Sequence, residues 1–198
     1  FKNWVGPSSS HTNGPMIAGY EFANLIDVNA TNVSRIVVDL YGSLSLTGIG
    51  HHTDQATILG LLGNKPDTIN IASAKATMKK MLAEGILYIN SRYKINFNYK
   101  TDIIFHKESL PLHENGMTIT ALDKHNFQIV SETYYSIGGG FIVTADELRN
   151  NSQCAPVEVK FPFTNANEML AQTDKHGLSL GRMVLQNELA YRDADAID

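Results

Sequence analysis

A single cysteine, Cys154, serves all 198 residues. That count excludes a disulfide framework and fits a reducing compartment. It also excludes an iron–sulfur cluster held by the thiolates of one copy of the chain, because such clusters need several. Lysine and arginine number 16 against 20 acidic residues, giving a net charge of -4, and no basic cluster occurs, which argues against nucleic acid as a partner. No apolar run approaches the length that crosses a bilayer and no signal-peptide pattern opens the chain, so a cytoplasmic protein without membrane contact is expected. His-Glu-x-x-His and facial-triad spacings for zinc or non-haem iron are missing, as is the Gly-x-Ser-x-Gly elbow of a serine hydrolase. Gly138-Gly139-Gly140 lacks the second spacing and the following helix of a dinucleotide fingerprint. No pyridoxal phosphate lysine signature is visible. What remains is an ordinary globular composition, 43% hydrophobic and 18% charged, in a chain long enough to bury a core.

The richest chemistry lies near the start. Residues 6–16, GPSSSHTNGPM, set Ser8, Ser9, Ser10, His11 and Thr12 between two Gly-Pro turns. Met16, Ile17, Tyr20, Ala23 and Ile26 then recur at helical spacing, so Asn13 or Gly14 reads as N-cap and Pro15 as the first helical residue. A hydroxyl-rich loop at a helix N-terminus suits a carboxylate or phosphate. The bland reading is a Ser/Thr-capped loop. Residues 34–41 alternate as a strand, 42–50 read as a Gly/Ser/Thr-rich loop, and His51-His52-Thr53-Asp54 lead into a helix ending at Gly63. A lysine-bearing helix spans 71–82. Strands are expected at 86–90, 94–99, 102–105, 117–122, 128–135, 141–144 and 157–161, with short turns that favour antiparallel pairing. Two helices follow, the first with Asn165 as N-cap and Glu168 three residues on. The expectation is one α+β domain, residues 1–192, with a mixed, largely antiparallel sheet and helices packed on it. The acidic stretch 193–198 reads as the start of a connection to further chain.

Of seven histidines, His11, the His51-His52 pair and His113 sit in polar, Gly-rich loops; His106, His125 and His176 neighbour lysines and read as solvated surface. For each loop histidine, a structural role donating to a carbonyl competes evenly with a chemical one.

Residues 6–19, GPSSSHTNGPMIAG, also resemble the opening signature of the β domain of bacterial single-chain iron–sulfur L-serine dehydratases. Residues 39–48 (DLYGSLSLTG), 50–54 (GHHTD), 110–117 (LPLHENGM) and 134–142 (YYSIGGGFI) agree in order, so the resemblance runs over nearly the whole chain. It implies an L-serine ammonia-lyase of amino-acid catabolism and gluconeogenesis that yields pyruvate and ammonia without pyridoxal phosphate. A 4Fe-4S cluster with one open iron site is implied, its cysteines on a catalytic α domain of the same polypeptide and not in this chain. Homo-oligomers are implied as well. Carried over residue by residue, His11, His51, Thr53, His113 and Ser136 are the implied catalytic residues. Ser8, Ser9, Ser10, Thr12 and Asn115 are the implied substrate contacts. Ile49 departs from the pattern, which usually has lysine there. This fragment would be inert alone. The alternative is a non-catalytic serine- or anion-sensing domain, like that of some phosphoglycerate dehydrogenases.

Overall fold

The strand expected at residues 34–41 forms as β1 (Arg35–Leu40), with Ile36, Val38 and Leu40 turned inward and fully buried. Each such side chain contributes about 1.5–3 kcal/mol by leaving water. Together they rival the net stability of a small domain, so a one-residue slip of β1 is ruled out. The computed structural model describes residues 8–26, 32–151 and 158–193, in two compact units divided after Ser152.

In the first unit a π-helical turn, Ser9–Asn13, runs directly into α1 (Gly14–Ile26). After β1 come α2 (Gly42–Leu46), α3 (Gly48–His51), α4 (Thr53–Leu61) and α5 (Ile71–Glu84). A hairpin of β2 (Ile86–Ile89) and β3 (Tyr93–Asn96) forms its own two-stranded sheet. A short α6 (Tyr99–Asp102) precedes β4 (Ile103–Phe105), β5 (Gly116–Leu122), β6 (Gln128–Gly138), β7 (Phe141–Thr144) and α7 (Ala145–Asn151). The main sheet has the order β4-β1-β5-β6-β7. Every pair is antiparallel except β1–β4, which align Val38 with Ile103 in parallel. The α+β reading with a mixed, largely antiparallel sheet therefore holds among the described residues.

Helix α1 packs across β5, β6 and β7 and against α4. Met16, Phe22 and Ile26 of α1 and Ile58, Leu59 and Leu61 of α4 are buried with the inner face of β1. The two helices touch backbone to backbone. A Cβ on Gly19 would collide with the Thr57 carbonyl oxygen, and one on Gly60 with the Met16 carbonyl oxygen. This contact matters for function because the polar turns singled out above open these same two helices.

In the second unit Asn165 accepts from the Glu168 N–H, 3.0 Å, and the Glu168 carboxylate accepts from the Thr164 N–H, 2.7 Å, at the start of α8 (Ala166–His176). Gly177, with φ 61°, closes that helix, and Ser179 caps α9 (Leu180–Glu188).

Four local expectations change. The opening helix starts with the π turn, whose N-cap is Ser8, not Asn13 or Gly14; the Ser8 hydroxyl accepts from the His11 N–H. The loop expected at 42–50 is two short helices, because Gly, Ser and Leu there wind up once Leu44 is buried. No strand forms over 158–161, where Asn187 instead brackets Phe161, accepting from its N–H at 2.9 Å and donating to its carbonyl at 2.8 Å. His106 is no free surface group: it bonds Asp39 at 2.6 Å and stacks on Tyr41 at 4.4 Å. Cys154 and Val157 lie outside the described residues.

Gly19→Ala and Gly60→Ala should each destabilise the protein by at least ~1–3 kcal/mol in urea denaturation, the cost of overpacking where backbone is the obstacle. Gly50→Ala, with open space around its Cβ, should stay within about 0.5 kcal/mol. A Gly19→Ala variant as stable as Gly50→Ala would contradict the crossing.

Candidate functional site

Two threonines bind the opening turn to the turn between α3 and α4. The Thr12 hydroxyl donates to the His51 carbonyl at 3.0 Å, and the Thr53 hydroxyl donates to the His11 carbonyl at 2.7 Å. Both threonines are fully buried. Their reciprocal bonds hold the rings of His11 and His51 with centroids 5.0 Å apart and planes tilted 47°. Thr12 and Thr53 therefore spend their hydroxyls on backbone. His52, with φ 58°, supplies the left-handed residue that lets the chain turn from α3 into α4.

Hydroxyls flank His11 on both sides. Nδ1 lies 2.9 Å from Ser10 Oγ and 3.4 Å from Ser8 Oγ, and Nε2 lies 2.9 Å from Ser43 Oγ. Burial pushes the proton affinity of His11 below the 6.5 of an unperturbed histidine, and the neighbouring His51 lowers it further. A hydrogen bond to the Ser43 backbone and the Glu114 charge oppose this without reversing it. His11 is thus a neutral imidazole near pH 7, fit to accept a proton.

A second limb holds His113, Asn115 and Ser136. His113 Nδ1 accepts from the Asn115 N–H at 3.0 Å, and its ring meets Tyr135 edge-on at 6.5 Å. The Asn115 amide nitrogen donates to the Ser136 carbonyl at 3.3 Å, and the Ser136 N–H returns to the Asn115 carbonyl at 2.9 Å. The two limbs meet twice. Ser136 Oγ sits where a Cβ on Gly14 would be, directly beside the opening turn. Ser43, which holds His11, also donates its N–H to the Glu114 carbonyl at 3.0 Å.

Buried polar atoms without a partner concentrate here. Among the described residues they are Asn13 Oδ1, His51 Nδ1, Asn115 Oδ1, Ser136 Oγ and Asp54 Oδ1. Four of the five belong to the two limbs. Each such group costs on the order of 1–3 kcal/mol relative to a paired one. Asp54 is separate: Tyr99 donates its hydroxyl to the other carboxylate oxygen, and burial, then that bond, raises the Tyr99 proton affinity. Ser8, Ser9 and Ser10 are half-buried at the edge of the cluster, while Leu46 and Ile49, each 69% exposed, stand on α2 and α3 beside it. A concavity of about 800 Å³, between Arg35, Tyr99, Asp102 and Lys124, contains none of the candidate site residues.

Sequence reasoning missed Ser43, Asn13 and Glu114. Ser43 carried a signal, since it sits in the 39–48 motif, but a serine in an expected loop has no assignable partner.

Histidine, serine and asparagine side chains thus cluster where the helices of the first unit open beside its mixed sheet. Residues 1–147 match the family model described as serine dehydratase beta chain, and the chain belongs to that family. It is 45% identical over 203 residues to L-serine dehydratase 2 of Escherichia coli strain K12 and 44% identical over 201 residues to L-serine dehydratase of Haemophilus influenzae. It is 38% identical over 194 residues to L-serine dehydratase of Helicobacter pylori strain J99. These alignments cover 100%, 100% and 98% of this chain but 44%, 44% and 43% of the relatives. The chain thus spans less than half the length of the relatives it matches.

The lowered His11 affinity fixes a sign for stability against pH. The folded state binds the His11 proton more weakly than the unfolded chain does. The corresponding stability is complete above about pH 6.5 and is lost as pH falls through the lower folded value. Urea midpoints measured from pH 8 to 5 should fall less steeply for His11→Asn than for the unmodified protein. Equal slopes would contradict a depressed His11.

Proposed function

We propose that this chain is the β part of an L-serine ammonia-lyase and that its two limbs bind L-serine and handle its protons. The observation that supports this most is His11, held neutral between the Ser10 and Ser43 hydroxyls with no carboxylate among the described residues bonded to its ring. Eliminating water from L-serine requires removal of a weakly acidic Cα proton and departure of hydroxide, so a positioned base is needed. His11 is the base in this reading. Ser8, Ser9 and Ser10 donate hydroxyl hydrogen bonds to the substrate carboxylate, and Asn115 and Ser136, whose side-chain oxygens lack donors, serve the ammonium. His51 and His113 complete the proton-carrying set, while Thr12 and Thr53 position the histidines.

The cluster implied by the family resemblance would draw its ligands from outside this chain. Its one cysteine is Cys154, and among the described residues no three His, Cys, Asp or Glu side chains converge on a metal site. A catalytic α domain on the remaining part of the polypeptide would supply them. Ile49 is exposed on α3, and if the family's lysine there helps hold the substrate carboxylate, this protein does it differently.

In the intact polypeptide, Ser10→Ala should raise the apparent KM for L-serine roughly ten- to a hundredfold, the loss of one hydrogen bond to a charged group. His11→Ala should lower kcat by about 10²–10⁴, the range for removing a general base, with a smaller effect on KM. Steady-state kinetics and thermal midpoints on the same variants decide. Unchanged kinetics with lowered midpoints would make both residues scaffold and favour a sensing domain.

A further inference from the structure

The reading of His11 as a base leaves open which ring nitrogen carries its proton, and the inference here rests on that reading for its catalytic meaning. We propose that Ser43 is the positioning residue of His11: its Oγ accepts the Nε2 proton and leaves Nδ1, on the Ser10 side, as the basic atom of the ring.

The hydrogen-bond geometry carries this. Ser8 Oγ accepts from the His11 backbone N–H at 3.4 Å. Its own hydrogen then has two neighbours in reach, Ser10 Oγ at 3.3 Å and His11 Nδ1 at 3.4 Å. Ser10 Oγ in turn lies 2.9 Å from Nδ1. In the proposed arrangement the hydroxyl donors run Ser8 to Ser10 to the ring and end on the Nδ1 lone pair, and a substrate carboxylate that takes the Ser10 hydrogen frees that lone pair for the proton. A neutral imidazole has one N–H, so the proton sits on Nε2, 2.9 Å from Ser43 Oγ. Ser43 is itself held in place. Its N–H bonds the Glu114 carbonyl at 3.0 Å, and its carbonyl accepts from the Thr47 N–H at 3.2 Å and the Thr47 hydroxyl at 2.9 Å.

A hydroxyl at Nε2 does what a carboxylate there would not. It orients the ring without adding a negative charge that would lock the imidazolium at neutral pH. The charged or titratable groups that bear on His11 are His51 on α3 and Glu114 in the loop before β5. Asp54 of α4 is turned to Tyr99, and Glu132 of β6 accepts from the N–H of its neighbour Thr133. The Nδ1 side faces the half-buried serines, so the proton moves where substrate would lie.

Heteronuclear NMR of the imidazole nitrogens tests this without any turnover, with His11 assigned by the signal lost in His11→Gln. The 198-residue chain should show His11 as the Nε2–H tautomer at neutral pH. Ser43→Ala should weaken proton binding at His11 about tenfold, the loss of one hydrogen bond to the charged ring, and Ser43→Thr should restore it. An Nδ1–H tautomer in the unmodified chain would overturn the proposal. So would a Ser43→Ala titration within about twofold of the original. Should Ser43→Ala fail to fold, the unmodified tautomer together with Ser43→Thr, expected to keep both tautomer and titration, still decides. Defective kinetics in Ser10→Ala and His11→Ala alongside an unaltered Ser43→Ala titration would remove the role of Ser43 and leave the function standing. Normal kinetics in those two variants with a shifted Ser43→Ala titration would do the reverse.

Discussion

The reciprocal pair of bonds from Thr12 to the His51 carbonyl and from Thr53 to the His11 carbonyl is the constraint on which the site depends. Both threonines are buried, so neither bond competes with water, and each is geometrically fixed by the helix that follows. The backbone contact of α1 with α4 at Gly19 and Gly60 makes this possible. With larger residues the helices would stand apart and the two turns would part with them. Packing deep in the core thereby sets the 5.0 Å separation of two rings near the surface.

The fold also carries a cost that packing alone does not explain. Four buried polar atoms without partners lie in the two limbs. At about 1–3 kcal/mol each, they offset a sizeable part of a domain's usual 5–15 kcal/mol of net stability. Elsewhere among the described residues Asp54 Oδ1 is the one further case, and hydroxyls pair off, as in Thr118–Thr133 and Thr120–Ser131 across β5 and β6, 3.0 and 2.8 Å. Unmet hydrogen bonds kept in one place, beside a histidine held neutral, are what a binding site for a polar molecule requires.

Much of this was legible in the chain order. The alternation of Ile36, Val38 and Leu40 gave β1, and the Asn165/Glu168 spacing gave the cap of α8, because both depend only on near neighbours. The polar loops were legible as a group, since Gly, Ser and His clustered between apolar runs have few structural uses. The parallel pairing of β4 with β1 was not, because it closes across α2 to α6 and leaves no local mark. Ser43 was hidden for the same reason: its partner lies 32 residues away. The start of the opening helix was misplaced because Pro15 suits a first turn so well that a π turn ahead of it has no signature. His106 read as surface beside Lys107 until the fold brought Asp39 and Tyr41 to it.

The central claim is that the stitched turns of His11 and His51, with Asn115 and Ser136 beside them, form the place where L-serine is held. A crystal structure of the intact polypeptide with L-serine or an unreactive serine analogue tests it directly. The ligand is expected with its carboxylate at Ser8 to Ser10, within hydrogen-bond reach of Ser10 Oγ, and its Cα facing His11 Nδ1. A ligand bound with neither the opening turn nor His11 in contact would contradict the account.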